Sequence, residues 1–278
     1  MMVAQVKSNV PHLTYTVAWE KLPDDYPLPD DPVENTSQPL IAAALRESLE
    51  LQGLLTSDCL VPSNLGICAK VNNQTIVKAP DWFYVARVIP LESPRSRRSY
   101  TPRVEGDTPA IVMEFLSETD GGEYSARPFP PYGKLWFYER ILEIPVYVIF
   151  EPDAGEVEVR QLVKGTYQVQ TADTEGRYWM EVLGLFLGVW YGTKADRTGY
   201  WLRWWDREGN LLPWGMERIE QEQQRAEQER QRAEQEQQRA QQEQQRAEQE
   251  HQRAEQERQR AERLADYLRS QGLDPENL

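Results

Sequence analysis

The sequence predicts a mixed α/β (α+β) domain built on one central sheet and followed by a long C-terminal α-helix. Three patterns carry that expectation: a helical spacing of apolar residues over 37–53, short β-branched and aromatic runs separated by turn residues from Gly66 onward, and a seven-residue repeat after Trp214. At 278 residues the chain is long enough for one well-filled domain with appendages.

Residues 1–36 are rich in Pro and Asp (LPDDYPLPDDPVENTS) and read as an extended N-terminal arm. In SQPLIAAALRESLELQGLL, Leu40, Ile41, Ala44, Leu45, Leu49 and Leu51 fall near one helical face, with Ser37 placed to cap the start and Gly53 the end. GICAKV, QTIVKAPDWFYVARVI and PAIVMEFL then carry strand chemistry, with Asn72-Asn73 as a hairpin turn. YGKLWFYERIL returns to helical spacing through Leu135, Tyr138 and Ile141. VYVIFEPDAGEVEVRQLVKGTYQVQ alternates strands with turns at Asp153-Ala154-Gly155 and Lys164-Gly165. Residues 177–214 hold six of the nine tryptophans, and GYWLRWWDREGNLLPWG reads as a hairpin, turning at 206–209, whose rings pin a sheet edge.

After Trp214 the units RAEQERQ, RAEQEQQ, RAQQEQQ, RAEQEHQ and RAEQERQ place alanine at 226, 233, 240, 247, 254 and 261. Strong helix formers and i,i+3 pairs such as Glu222–Arg225 and Glu229–Arg232 predict one continuous helix, on the order of 80 Å long. A stable coiled coil needs two apolar positions per heptad, and this repeat offers one small residue. An isolated solvated helix and a weak self-association seam both stay open. The expected layout is an arm over 1–36, a domain over 37–215 and a charged helix or weak coiled coil over 216–278.

Residues 216–278 hold 16 acidic and 11 basic residues, which leaves 29 and 20 in residues 1–215, so both parts are acidic. That balance argues against a generic polyanion binder, because sequence-independent affinity for nucleic acid comes mainly from clustered Lys and Arg. Contact with phosphate has to be local or bridged by a metal ion. ESPRSRRSYTPR, with Arg95, Arg97, Arg98 and Arg103, is the one basic cluster and reads as a solvated loop. Cys59 and Cys68, with two histidines in the chain, neither form a zinc pattern nor demand a disulfide. The absence of a signal-peptide pattern and of a membrane-length apolar run gives a cytoplasmic expectation.

Two carboxylates interrupt apolar strand sequence: Asp81 directly before WFYV, and Glu114 near the end of AIVMEFL. Burial penalises such charges unless something compensates them, and a divalent cation shared between two strands does so. Oxygen ligands without His or Cys point to magnesium or manganese. An ion of that kind polarises a phosphodiester and supplies hydroxide at neutral pH. Lys134 is the candidate to orient that water and to steady the developing charge.

Asp81 in PDW, Glu114 in EFLS, Lys134 in GKLWFY and the following IPVYVIFEPDAGEVEVRQL together resemble the Uma-two family of restriction endonucleases, abundant in cyanobacteria and placed in the PD-(D/E)XK nuclease superfamily. WWDREGNLLPWGMERIEQEQQRAEQE and LRSQGLDPENL resemble that family's terminal hairpin, repeat and closing tail. The resemblance implies a restriction-endonuclease-like fold, a mixed central sheet flanked by helices, and hydrolysis of DNA phosphodiester bonds with Mg²⁺ or Mn²⁺. It assigns metal binding to Asp81 and Glu114 and the catalytic lysine to Lys134, with Tyr138 in support through the family's Lys-x-x-x-Tyr. Two positions after Glu114, where the superfamily places lysine, stands Leu116, so the lysine is relocated to the next helix. The Asp that many members carry four residues before it is Pro130 here; Asp120 or Glu123 can substitute, and Glu47 on the first helix is a further candidate acid.

Two other function classes stay in view. A catalytically inactive nuclease-fold scaffold would act as an interaction protein through its C-terminal helix, or as a homodimer through that helix or the nuclease domain. Its motivation is the acidic charge and the missing lysine at 116. A carbohydrate-binding module built on the tryptophans has less support, since those rings already have a packing role.

Overall fold

The computed structural model describes residues 2–6, 15–21, 36–91, 96–116 and 122–270. The chain divides into two compact units, Met1–Gly215 and Met216–Leu278. The first is a mixed α+β domain with three sheets, and the second is helical.

The expected arm holds two strands, β1 (Met2–Val6) and β2 (Tyr15–Trp19), paired antiparallel. The reason lies in YTVAW, a period-two run whose Val17 and Trp19 are buried while Thr16 is exposed. Helix α1 (Ser37–Leu51) buries Gln38, Ile41, Ala42, Ala44, Leu45, Ser48 and Leu49. The apolar face is rotated from the expected one: Leu40 is exposed and Leu51 half-buried, because Gln38 turns inward and donates to the Phe115 carbonyl at 2.6 Å. Ser37 does not cap. Thr36 occupies the cap position without a side-chain bond, and Ser37 Oγ instead accepts from Arg197 Nε at 3.3 Å. Gly53 ends the helix as expected, in the left-handed region at φ +68°, with Leu54 N–H donating to the Leu49 carbonyl.

Strands β3 (Gly66–Val71) and β4 (Gln74–Lys78) form the hairpin set by Asn72 and Asn73, both at positive φ. The stretch QTIVKAPDWFYV then splits. Pro80 has no N–H to give a ladder, so β4 stays in the first sheet while β5 (Trp82–Tyr84) enters the second. This division replaces the single expected sheet. The short β6 (Ser99–Tyr100) joins β3 in parallel, and β2 closes the first sheet against β3.

Strand β7 (Ile111–Phe115) leads into α2 (Lys134–Trp136), which continues directly as a π-helical turn, Phe137–Ile141. Strands β8 (Val146–Glu151), β9 (Glu156–Val163) and β10 (Thr166–Val169) follow, and the central sheet has the order β10-β9-β8-β7-β5. Only the β7–β8 pair is parallel, so α2 and the π turn lie in its crossover connection. Lys164 and Gly165 make the β9–β10 turn at positive φ, as their chemistry predicts.

Period two divides the central sheet between two cores. Ile111, Met113 and Phe115 pack with Ile41, Leu45, Trp82, Phe150 and Trp204. Val112 packs with Phe83, Phe137, Tyr138, Tyr147 and Ile149 on the other face. Each such fully buried large side chain contributes roughly 1.5–3 kcal/mol. Glu114 shares the parity of Val112 and therefore faces α2 and the tyrosines.

The third sheet, β11 (Tyr178–Met180), β12 (Leu185–Lys194) and β13 (Arg197–Trp205), carries the tryptophans. Trp201, Trp204 and Trp214 are buried, and the indole N–H groups of Trp204 and Trp214 donate to the Leu45 and Ala44 carbonyls of α1. The buried Arg203 guanidinium lies 3.4 Å from the centre of the Trp214 ring. These three rings lock a sheet to a helix, the packing role expected of the tryptophans.

The basic cluster also departs from expectation. Arg97 is no solvated residue: it pairs with Glu105 at 2.7 Å, both side chains under a tenth exposed, and Thr101 N–H donates to the other Glu105 oxygen. Arg98 is exposed, and Arg95 lies outside the described residues.

Helix α3 (Gly215–Ser270) runs 56 residues, about 84 Å at the usual rise, and buries none of them. Its ion pairs include Arg230 with Glu227 and Glu234, and Arg258 with Glu255 and Glu262, each one turn away. No helix among the described residues is long and apolar enough to cross a membrane.

Candidate active site

Register brings the two strand acids together. Trp82 pairs with Met113 across β5 and β7, so the next antiparallel step sets Asp81 opposite Glu114. Asp81 is held there by Phe115 N–H, which donates to its Oδ2 at 2.5 Å. The peptide that follows Glu114 thus fixes the neighbouring acid.

The cation arrives from the crossover. Lys134 Nζ donates to Glu114 Oε2 at 3.1 Å and to Glu123 Oε1 at 3.2 Å. Tyr138 O–H donates to the other Glu114 oxygen at 2.8 Å. One turn of helix separates Lys134 from Tyr138, which lets both reach one carboxylate. The π turn shapes that reach. Leu142 N–H bonds back five residues to the Phe137 carbonyl, and Phe137, Tyr138 and Ile141 are all buried against the sheet.

Gly133, just before the lysine, is required by close approach. A Cβ there would lie 1.9 Å from the Ser125 carbonyl oxygen. That contact lets 125–127 run against the start of α2, with Gly133 N–H donating to the Arg127 carbonyl and Trp136 N–H to that of Ser125. Glu123 is tied down as well, because Tyr147 O–H donates to its backbone carbonyl at 3.0 Å.

The electrostatics follow from burial. Glu114 is 1% exposed, and desolvation pushes its carboxyl up to about 8; Asp81 adds to the rise, while Lys134 and the Tyr138 hydrogen bond oppose it. Lys134 is itself largely buried, which alone would lower its pKa, but Glu114 and Glu123 outweigh that and hold the ammonium well above its ordinary range. Desolvation also raises Tyr138 well above the usual phenol, so it remains a donor.

Asp81, Glu114, Glu123, Lys134 and Tyr138 are therefore brought together. Glu47 is not. It pairs with Lys194 and accepts from Gly215 N–H, because its place on α1 faces the third sheet. Asp120 lies outside the described residues. Gln38 and Tyr147 were not singled out in the sequence, yet one fixes the Phe115 carbonyl and the other the Glu123 backbone. The available signal for Gln38 was its position one turn before Ile41 and Ala42, on the buried face.

The model of the Uma2 family, described as "Putative restriction endonuclease", matches residues 27–193, more than half of the chain. The chain belongs to the Uma2 family. No curated protein matches it. The Uma2 match spans all five grouped residues and ends inside β12, before α3 begins.

A divalent cation is the group that a restriction-endonuclease-like fold implies. Among the described residues no three His, Cys, Asp or Glu side chains are grouped as a ready-made metal cage. Magnesium does not need one, since it keeps several waters and takes one or two carboxylates together with substrate phosphate. The Uma2 site fits on two counts. Glu114 and Glu123 share one ammonium, with Asp81 directly before the neighbouring strand, so carboxyl groups outnumber cations in a buried place, and Glu123 Oε2 is buried without a hydrogen-bond partner among the described residues.

Proposed function

We propose that the protein is a metal-dependent DNA endonuclease that hydrolyses phosphodiester bonds. The observation that carries this reading is the lysine supplied by α2: Lys134 bridges Glu114 and Glu123 beside Asp81, filling from the next helix the role that Leu116 leaves open on the strand. Family membership supports the nuclease class, and the oxygen-only donors support Mg²⁺ or Mn²⁺.

Asp81 and Glu114 are the residues that would hold the ion, which when bound supplies Lewis-acid polarisation of the phosphodiester and a more acidic water. The chain's own groups do the rest. Lys134 orients the attacking water and stabilises negative charge on the phosphoryl oxygens as the water oxygen bonds to phosphorus and the P–O bond to the leaving strand breaks. Tyr138 holds Glu114 in one rotamer by bonding the oxygen that Lys134 does not use. Phe115 N–H does the same for Asp81. Purified full-length protein is expected to cleave DNA in Mg²⁺ or Mn²⁺ but not in EDTA, with Asp81→Ala inactive. Cleavage that persists unchanged in Asp81→Ala, or none by the wild type on any DNA form, removes the proposal.

One observation favours a second reading, a nuclease-fold scaffold that works through its tail: α3 presents 56 residues and buries none. Light scattering of the full chain against residues 1–215 tests its self-association part. A mass above one chain in the first and not in the second supports it, and monomers in both dismiss it.

A further inference from the structure

The loop 124–133 is clamped at both ends by the site. Glu123 before it and Lys134 after it form an ion pair at 3.2 Å, and Gly133 N–H closes it on the Arg127 carbonyl at 3.0 Å. At its tip, Phe129 is 56% exposed and is followed by the exposed Pro130 and Pro131. The Arg127 guanidinium lies 4.6 Å from the centre of the Phe129 ring and donates to the Pro130 carbonyl at 2.8 Å. Behind the tip, Tyr132 stacks on Trp136 at 5.0 Å and 14°. The result is a stiff apolar point with a cation beside it, rooted on both members of the ion pair.

The chemistry of that point selects its partner. An exposed ring stiffened by prolines is the shape that proteins insert between bases, and aromatic faces with arginine beside them hold unpaired bases with little sequence preference. The opposite end of the loop is unsuited to a polyanion: around Tyr124 stand Glu123, Glu151 and Glu158, and Arg160 there is already paired with Glu158. At the Phe129 end the ring has an arginine beside it, and among the described residues Arg127 forms no ion pair with a carboxylate.

We propose that loop 124–133 is a wedge that stacks Phe129 on an unpaired base of the bound strand while Arg127 contacts the adjoining phosphate. This rests on the nuclease reading for its setting and extends it by naming the substrate class: DNA with unpaired nucleotides at the site, such as a bubble, gap or flap, in preference to continuous duplex.

Fluorescence anisotropy in Ca²⁺, with the full chain and a fluorescent oligonucleotide carrying either a five-nucleotide bubble or full pairing, tests it by binding alone. The wild type is expected to bind the bubble about tenfold tighter than the duplex, Phe129→Ala to lose about tenfold on the bubble and under twofold on the duplex, and Phe129→Trp to restore the preference. Equal affinity for the two DNAs, binding of neither, or an unchanged preference in Phe129→Ala overturns the wedge, and circular dichroism confirms that each variant is folded. Cleavage is read separately in Mg²⁺. A Phe129-dependent bubble preference in a protein that cuts nothing sinks the nuclease reading and leaves the wedge; Mg²⁺-dependent cleavage with the preference unchanged in Phe129→Ala sinks the wedge alone.

Discussion

Two buried ion pairs in the same domain invite comparison. Around Arg97 the arithmetic of charge closes: one guanidinium meets one carboxylate, and both Glu105 oxygens accept, from Arg97 and from Thr101 N–H. Around Lys134 it does not close, because one ammonium serves two glutamates with Asp81 alongside and a Glu123 oxygen has no partner among the described residues. A matched pair explains itself as structure. An unmatched one, raised in pKa and grouped on the ends of two strands, is where a further cation has something to do.

The largest test of that contrast exchanges the two cations for alanine. Lys134→Ala is expected to lower the cleavage rate per folded molecule about 10²–10³-fold, beyond the stability lost by leaving Glu114 and Glu123 buried without their cation. Arg97→Ala should act on stability alone, lowering it by about 3–5 kcal/mol in urea unfolding, since it strands Glu105 in the interior, with the rate per folded molecule little changed. Next comes Gly133→Ala, whose Cβ meets the Ser125 carbonyl and must displace either that segment or the start of α2 that carries the lysine. Its cost should appear in both thermal stability and rate, by about 1–3 kcal/mol in the former.

The pH dependence sharpens the same comparison. The folded value of Glu114, about 8, lies above the ordinary carboxylate value of 4.5. Its contribution therefore favours the folded state below about 4.5 and is lost as pH rises towards 8, at no more than about 1.4 kcal/mol per pH unit. Lys134, shifted upward from 10.5, contributes a constant amount across that window. Metal-free unfolding at pH 5 and pH 8 should show the decline in the wild type and a flatter response in Glu114→Gln. The smallest effect is expected from Glu47→Ala, which loses a half-exposed pair with Lys194 worth about 1 kcal/mol or less and leaves the rate unchanged.

What the sequence made legible is what depends on neighbours in the chain. Asn72-Asn73 and Lys164-Gly165 announce their hairpins because positive φ is a local requirement. Asp81, Glu114 and Lys134 stood out because charge interrupts apolar sequence, and the fold brings them together. What stayed hidden depends on distant partners. Gln38 looks like a surface residue until the Phe115 carbonyl is 2.6 Å away, and Arg97 looks solvated until Glu105 meets it. Which sheet β5 joins cannot be read from its own three residues, although Pro80 marks the break. The N-terminal strands were masked by the prolines and aspartates between them and α1.

The widened turn at Phe137–Ile141 makes the spacing between the lysine and the sheet sensitive to chain length. Inserting one residue into the ordinary turn between Lys134 and Phe137, with the five-residue turn already holding its extra residue, would swing everything upstream by about 100°. Lys134 would then point away from Glu114 while the downstream anchor at Leu142 stayed put, so a single codon insertion outside the charged cluster should silence the protein as thoroughly as losing the amine itself.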